Sequence, residues 1–180
     1  TLEGGAGIDT LTGGLGDDTV TYASAASGIV ANMATGAVSD DGDGGADTLA
    51  DIEGLTGSSH DDTVSLATGA NILSGGAGND TFVVSAVDSF DESDTISGGD
   101  NGTGGDTLTL NVIASAVTYN FNDSGQAIVS GVEHLVLNQD ADYTLTLAKN
   151  LLSGSDYDGD GSADATIGVS ASTALTGSVV

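Results

Sequence analysis

Apolar residues recur along this chain one at a time, in a polar and glycine-rich field, at a fixed place in a block of nine. Residues 4–12 (GGAGIDTLT) and 13–21 (GGLGDDTVT) align without a gap, with Leu11 and Val20 eighth in their blocks. Residues 57–83 repeat the device as GSSHDDTVS, LATGANILS and GGAGNDTFV, which puts Val64, Leu73 and Phe82 in the eighth position. A weaker copy, GDGGADTLA at 42–50, carries Leu49 there. Asp94-Thr95-Ile96 and Asp106-Thr107-Leu108 repeat only its end. One inward side chain in each block predicts a very short strand after a tight turn. Alternation at Leu108-Leu110-Val112 and Thr144-Leu145-Thr146-Leu147 predicts further strands, and no stretch shows a helical period or helix caps. The expected fold is all-β. Residues 1–110 form the repeat region, with an insert at about 22–41, and residues 111–180 form a β-rich extension or cap.

The sixth position is as regular as the eighth. It holds Asp9, Asp18, Asp47, Asp62, Asn71 and Asp80, and the degenerate copies supply Asp94 and Asp106. Glycines open the best blocks: Gly4, Gly5 and Gly7, then Gly13, Gly14 and Gly16, then Gly75, Gly76 and Gly78. The pattern Gly-Gly-x-Gly-x-Asp-x-apolar-x resembles the RTX (repeats-in-toxin, haemolysin-type) calcium-binding family, most strongly over residues 1–21 and 42–110. The resemblance implies a parallel β-roll of calcium-bound coils, here with longer strands interspersed. It also implies type I secretion from a Gram-negative bacterium and folding outside the cell, where calcium is abundant.

The physical reading stands beside the resemblance. Glycine permits a turn too tight for a side chain, and such a turn aims backbone carbonyls inward. Ca²⁺ is a hard cation that takes six to eight oxygens. Turn carbonyls of the listed glycines and the sixth-position carboxylates would supply them. Two blocks make one coil of 18 residues, so Asp62 and Asp80 fall on one edge and Asn71 on the other, where its neutral oxygen makes a weaker site. Turns on one edge stack at about 4.8 Å. One ion per stacked turn gives about five to eight ions.

Charge strengthens that reading. The chain has one basic residue against 27 acidic ones, for a net charge of −26. Such a balance excludes nucleic acid and anionic membrane as electrostatic partners and makes a metal-free fold costly through self-repulsion. Disorder is the simplest account of so much acid. Against it stand 38% hydrophobic residues, a slightly positive mean hydropathy and the regular apolar eighth position. With no cysteine, thiolate sites and disulfides are excluded, and with no proline the turns fall to 29 glycines and the Asp, Asn and Ser residues. No apolar run is long enough to cross a bilayer.

A separate acidic loop, Asp156-Tyr157-Asp158-Gly159-Asp160-Gly161 with Asp164, has the early spacing of an EF-hand loop. Ile167 replaces its bidentate glutamate, so a calcium-type turn is expected rather than an EF-hand. His60 and His134 sit in no metal-ligand spacing and are expected to be structural. Glu53 and Glu133 recur in matched contexts, DIEGL and GVEHL, and are expected to satisfy a turn amide or join an ion site. No catalytic constellation is identifiable, so the chain is not expected to be an enzyme. Thr1-Leu2-Glu3 fit positions seven to nine of a repeat, which suggests a piece of a longer chain, and the weakly apolar end at Leu175–Val180 suits an export signal. The leading expectation is a calcium-dependent structural module of a surface layer, adhesin or filament, with self-association or cell-surface contacts. The alternative is the C-terminal folding and secretion module of a secreted metalloprotease, lipase or epimerase.

Overall fold

The computed structural model describes residues 1–91, 93–111, 117–121, 128–137, 143–147 and 170–171. Their regular structure is strand, apart from one 3-10 turn at Val87–Ser89. Because each block carries one inward residue, successive strands fall alternately in two facing sheets that share one apolar core. β1 (Thr10–Thr12) lies in the larger sheet and β2 (Thr19–Thr21) in the smaller. Three strands then follow in the larger sheet: β3 (Val30–Asn32), β4 (Ala37–Asp40) and β5 (Asp47–Ala50). From there the alternation is strict. β6 (Gly54–Thr56), β8 (Ile72–Gly78) and β10 (Thr95–Asn101) join the smaller sheet. β7 (Thr63–Ser65), β9 (Thr81–Val84) and β11 (Thr107–Leu110) join the larger.

Both sheets run on beyond residue 110. β13 (Ile128–Ser130) pairs with β10, and β14 (His134–Leu137) pairs with β11. β12 (Val117–Phe121) and β15 (Tyr143–Leu147) form a separate parallel pair, and β16 (Ser170–Ala171) pairs with β14. Among the described residues all strand pairings are parallel except the two made by β4.

The register places the eighth-position residues over one another. In the smaller sheet the row is Leu2, Val20, Leu55, Leu73, Ile96 and Val129. In the larger sheet Ala31, Val64, Phe82, Leu108 and Leu135 align. Val84, Leu110 and Leu137 form a second row beside it. Parallel strands so short hold their register because a one-residue slip would turn the whole apolar row outward. β8 and β10 are seven residues each because pairing continues through the turn, as Gly76 over Gly99 and Gly78 over Asn101.

The segment at 22–41 becomes part of the roll. In the smaller sheet β2 lies directly beside β6, whereas in the larger sheet β5, β4 and β3 stand between β1 and β7. β3 and β4 form an antiparallel hairpin whose buried Ala31 and Val38 continue the core row. Tyr22, Ala25 and Ile29 are buried in the same core.

Among the described residues Phe82 is the largest fully buried side chain, at 0% exposure, whereas Ile72 on β8 is 46% exposed. Phe82→Ala should destabilise the calcium-loaded protein by about 3–5 kcal/mol. Ile72→Ala should stay within about 0.5 kcal/mol of the parent. Urea unfolding in excess calcium measures both, and similar losses for the two would contradict the core assignment.

Candidate metal centre

The turns that feed the larger sheet stack on one edge of the roll, and those that feed the smaller sheet stack on the other. On the first edge the sixth-position groups form a hydrogen-bonded ladder. The backbone N–H of Asp62 donates to Asp80 Oδ1 at 2.9 Å, and that of Asp80 to Asp106 Oδ1 at 2.7 Å. Asp106 N–H donates to Glu133 Oε2 at 2.8 Å, and Ile29 N–H to Asp62 Oδ1 at 2.7 Å. Nearer the start, Asp9 N–H donates to Asp47 Oδ1 at 2.9 Å. On the second edge Asp18 N–H donates to Glu53 Oε2 at 2.9 Å, and Asn71 N–H to Asp94 Oδ1 at 2.9 Å. Each carboxylate thus binds the coil before it through one oxygen.

The second oxygen decides the chemistry. Asp80 Oδ2 and Asp106 Oδ2 are buried and have no hydrogen-bond partner among the described residues. The opening glycines bring carbonyls to them. A Cβ on Gly75 would meet Asp80 Oδ2 at 2.0 Å and the Gly98 carbonyl oxygen at 2.5 Å. A Cβ on Gly98 would meet Asp106 Oδ2 at 2.1 Å and the Gly131 carbonyl oxygen at 1.8 Å. Only glycine allows a carboxylate and a carbonyl of the next coil to approach so closely. Two acceptors facing each other without an N–H or O–H between them suit a hard, oxygen-seeking cation. The residues therefore fit calcium. Among the described residues no three His, Asp or Glu side chains gather as a cage.

Electrostatics agree with the geometry. Burial, reinforced by the Asp62, Asp106 and Asp61 charges, pushes Asp80 up to about 7. Burial and the Glu133 and Asp61 charges push Asp106 up to about 6. Burial also raises Asp62 and Asp94. Without a cation, the fold gathers carboxylates that resist ionisation.

Other turns satisfy themselves. Asn71 is 1% exposed, and its Nδ2 donates to the Ala67 and Gly69 carbonyls and to Asp94 Oδ1, at 3.1, 2.8 and 2.7 Å. Its Oδ1 accepts from Ala67 N–H. The amide thus turns its nitrogen, rather than the expected neutral oxygen, toward the acceptors. Asp94 Oδ2 accepts from Asp91 N–H. Asp62 Oδ2 accepts from Ser58 N–H at 2.6 Å, and its Oδ1 also accepts from the Ser58 hydroxyl.

Glu53 and Glu133 occupy the sixth position, a role that the DIEGL and GVEHL contexts hinted at through Leu55 and Leu135 two residues on. Asp41, buried with an Oδ2 that has no partner among the described residues, is absent from the repeat pattern altogether. Gly4, Gly5 and Gly7 precede Asp9, and Gly13, Gly14 and Gly16 precede Asp18, in the first turn of each edge. Gly76 and Gly78 complete the turn before Asp80. His60 and His134 are exposed, and His134 Nε2 donates to the Gly104 carbonyl at 2.8 Å. The loop with Asp156, Asp158, Asp160 and Asp164 lies outside the described residues.

Comparison with known families finds the RTX calcium-binding nonapeptide repeat, in four copies, at residues 1–24 and 56–86. These repeats bind several calcium ions. No curated protein matches the chain.

The contrast between open and self-satisfied turns gives the first prediction. Asp80→Ala should weaken calcium binding, because it removes a carboxylate with a bare oxygen. Asn71→Ala should leave the number of bound ions unchanged and cost about 1–3 kcal/mol of stability, because it strands buried acceptors. Calorimetric calcium titration with urea unfolding separates the two, and equal calcium affinities would count against the assignment. The second concerns pH. Asp80 and Asp106 are raised in the fold above the unfolded value near 4, so the calcium-free roll binds extra protons and is most stable in acid. It should lose stability as pH rises from about 4 through 7. Calcium binding should conversely release protons, and apparent affinity should fall as pH drops below about 7. Titration in buffers of different ionisation heat reads the proton release, and none at pH 6 would refute it.

Proposed function

Since the chain belongs, through these repeats, to the RTX calcium-binding family, we propose that it is a calcium-folded structural module of a secreted extracellular protein, of the surface-layer, adhesin or filament type. The observation that carries the proposal is the stacked edge on which Asp80 and Asp106 hold buried oxygens without a partner among the described residues. A chain built this way stays unfolded where calcium is scarce. Export by type I secretion from a Gram-negative cell, followed by folding outside, uses that property. Binding free energy then becomes folding free energy.

The structural role rests on two further features. The hairpin of β3 and β4 widens one sheet, and strands continue beyond the repeats into β13 and β14, so the roll is the body of a larger β assembly. A net charge of −26 also gives calcium exposed carboxylates to bridge between copies. The module works without catalysis in this reading, and its partners are calcium, further copies and cell-surface or matrix material.

The test is size-exclusion chromatography with light scattering, in millimolar calcium and then in EGTA. The expected result is large ordered assemblies that dissolve on chelation, with loss of the β-sheet circular dichroism signal. A compact monomer in calcium that merely expands in EGTA would overturn the assembly role in favour of a folding and secretion module of a secreted enzyme. A circular dichroism spectrum unchanged by EGTA would overturn calcium-coupled folding itself.

A further inference from the structure

The turn that links β4 to β5, residues 41–46, lies outside the matched repeats and carries a bare carboxylate of its own. Asp41 is 1% exposed. Its Oδ1 accepts from the N–H groups of Asp43 and Gly45, both at 2.8 Å, and its N–H donates to the Gly45 carbonyl at 3.3 Å. Its Oδ2 is buried without a partner among the described residues. The turn is pinned from outside. Ser27 donates from both N–H and hydroxyl to the Gly42 carbonyl, and Ala26 N–H donates to Asp43 Oδ1. The carboxylate is thus held in place before any ligand arrives.

Across from it lies the first repeat turn. A Cβ on Gly45 would meet the Gly7 carbonyl oxygen at 1.6 Å and Asp41 Oδ2 at 2.5 Å. The arrangement has the same parts as those at Gly75 and Gly98: a bare carboxylate oxygen, a carbonyl of a facing turn, and a glycine that lets them meet. The sixth-position residue of this block, Asp47, is already satisfied. Its Oδ1 accepts from Asp9 N–H, and its Oδ2 accepts from the Tyr22 hydroxyl at 3.0 Å. The buried acid left bare at this level of the edge is Asp41.

We infer that Asp41 Oδ2 and the Gly7 carbonyl hold a calcium ion where the inserted hairpin meets the first coil, a site that the nonapeptide pattern does not encode. A hard divalent cation fits, because both donors are oxygens and one is charged. The ion cross-links a turn of the insert to a turn of the first repeat, 34 residues away along the chain. The Tyr22 hydroxyl takes over Asp47, and the calcium-holding role moves six residues upstream.

The test is equilibrium dialysis of the full chain at saturating calcium, counting bound ions by mass spectrometry. Asp41→Asn should bind one ion fewer than the parent while its circular dichroism stays unchanged. Its amide can keep the Oδ1 contacts and offer an N–H to the facing carbonyl, as Asn71 does to Ala67 and Gly69. Asp88→Asn, an equal charge loss at an exposed position, should keep the full count. An unchanged count for Asp41→Asn overturns the site, and so does an equal loss for both variants. A second measurement guards against a misfolded variant. Crystals of the unaltered protein grown with terbium should show an anomalous peak beside Asp41 Oδ2 and Gly7, and an empty map there overturns the inference. Either failure leaves calcium binding by the repeats intact, so the two claims are separable.

Discussion

Everything in this roll depends on stacking like charges. Parallel strands sit about 4.8 Å apart, and the sixth-position acids therefore stand one above another at that pitch. Two unit charges at such a distance repel by roughly 3–4 kcal/mol at an effective dielectric near 20. The ladder of N–H donors from Asp62, Asp80 and Asp106 offsets part of this, since each gives a carboxylate one charge-assisted hydrogen bond. It cannot serve both oxygens. The N–H groups that point along the edge are used once each, and Asp80 Oδ2 and Asp106 Oδ2 remain buried and bare. The backbone thus creates the demand for a cation by the same geometry that builds the coil.

The core cannot hold the chain together against that repulsion unaided. Its residues are mostly Leu, Val and Ile side chains, one or two for each short strand, with Phe82, Phe90 and Tyr22 the only buried aromatics among the described residues. Long polar and glycine-rich turns must be ordered for each such side chain, at about 1–2 kcal/mol of backbone entropy per residue. Glycine adds to that cost, yet the turns have no alternative to it. At Gly98 a methyl group would lie 1.8 Å from the Gly131 carbonyl oxygen. The residue that makes the coil hard to order is the one that lets oxygens of adjacent coils converge.

Much of this was legible in the sequence because it follows a count. The period of nine places Leu73 beneath Leu55 and puts Asp62 and Asp80 on one edge. The count fails where the chain lengthens a turn. Asp106 follows Asp80 by 26 residues, yet its carboxylate takes the same place, because Phe82 and Leu108 still align and the loop absorbs the excess. Glu53 and Glu133 stood apart as oddities while the motif was read as aspartate alone. In space the longer side chain reaches the same N–H of the neighbouring coil. The orientation of Asn71 was not legible at all. Whether an amide offers oxygen or nitrogen depends on what faces it, and here two carbonyls and Asp94 do.

The structure answers a buried acceptor in two ways, and they divide the molecule. Asn71, Ser58 and Tyr22 are internal donors that satisfy oxygens on Asp94, Asp62 and Asp47. These turns close with hydrogen bonds and need no ion for their own completion. Among the described residues the turns of Asp80 and Asp106 have no such donor and leave an oxygen open to a cation. Calcium dependence is therefore graded along the roll, set at each turn by whether a neighbouring side chain supplies an N–H or O–H. Levels with internal donors ask less of the ion, so they form first as calcium rises and offer a template with the correct register. Levels without them add to that template only as the ion arrives. A chain with donors at every level would fold anywhere, and one with none would have no local structure on which to begin.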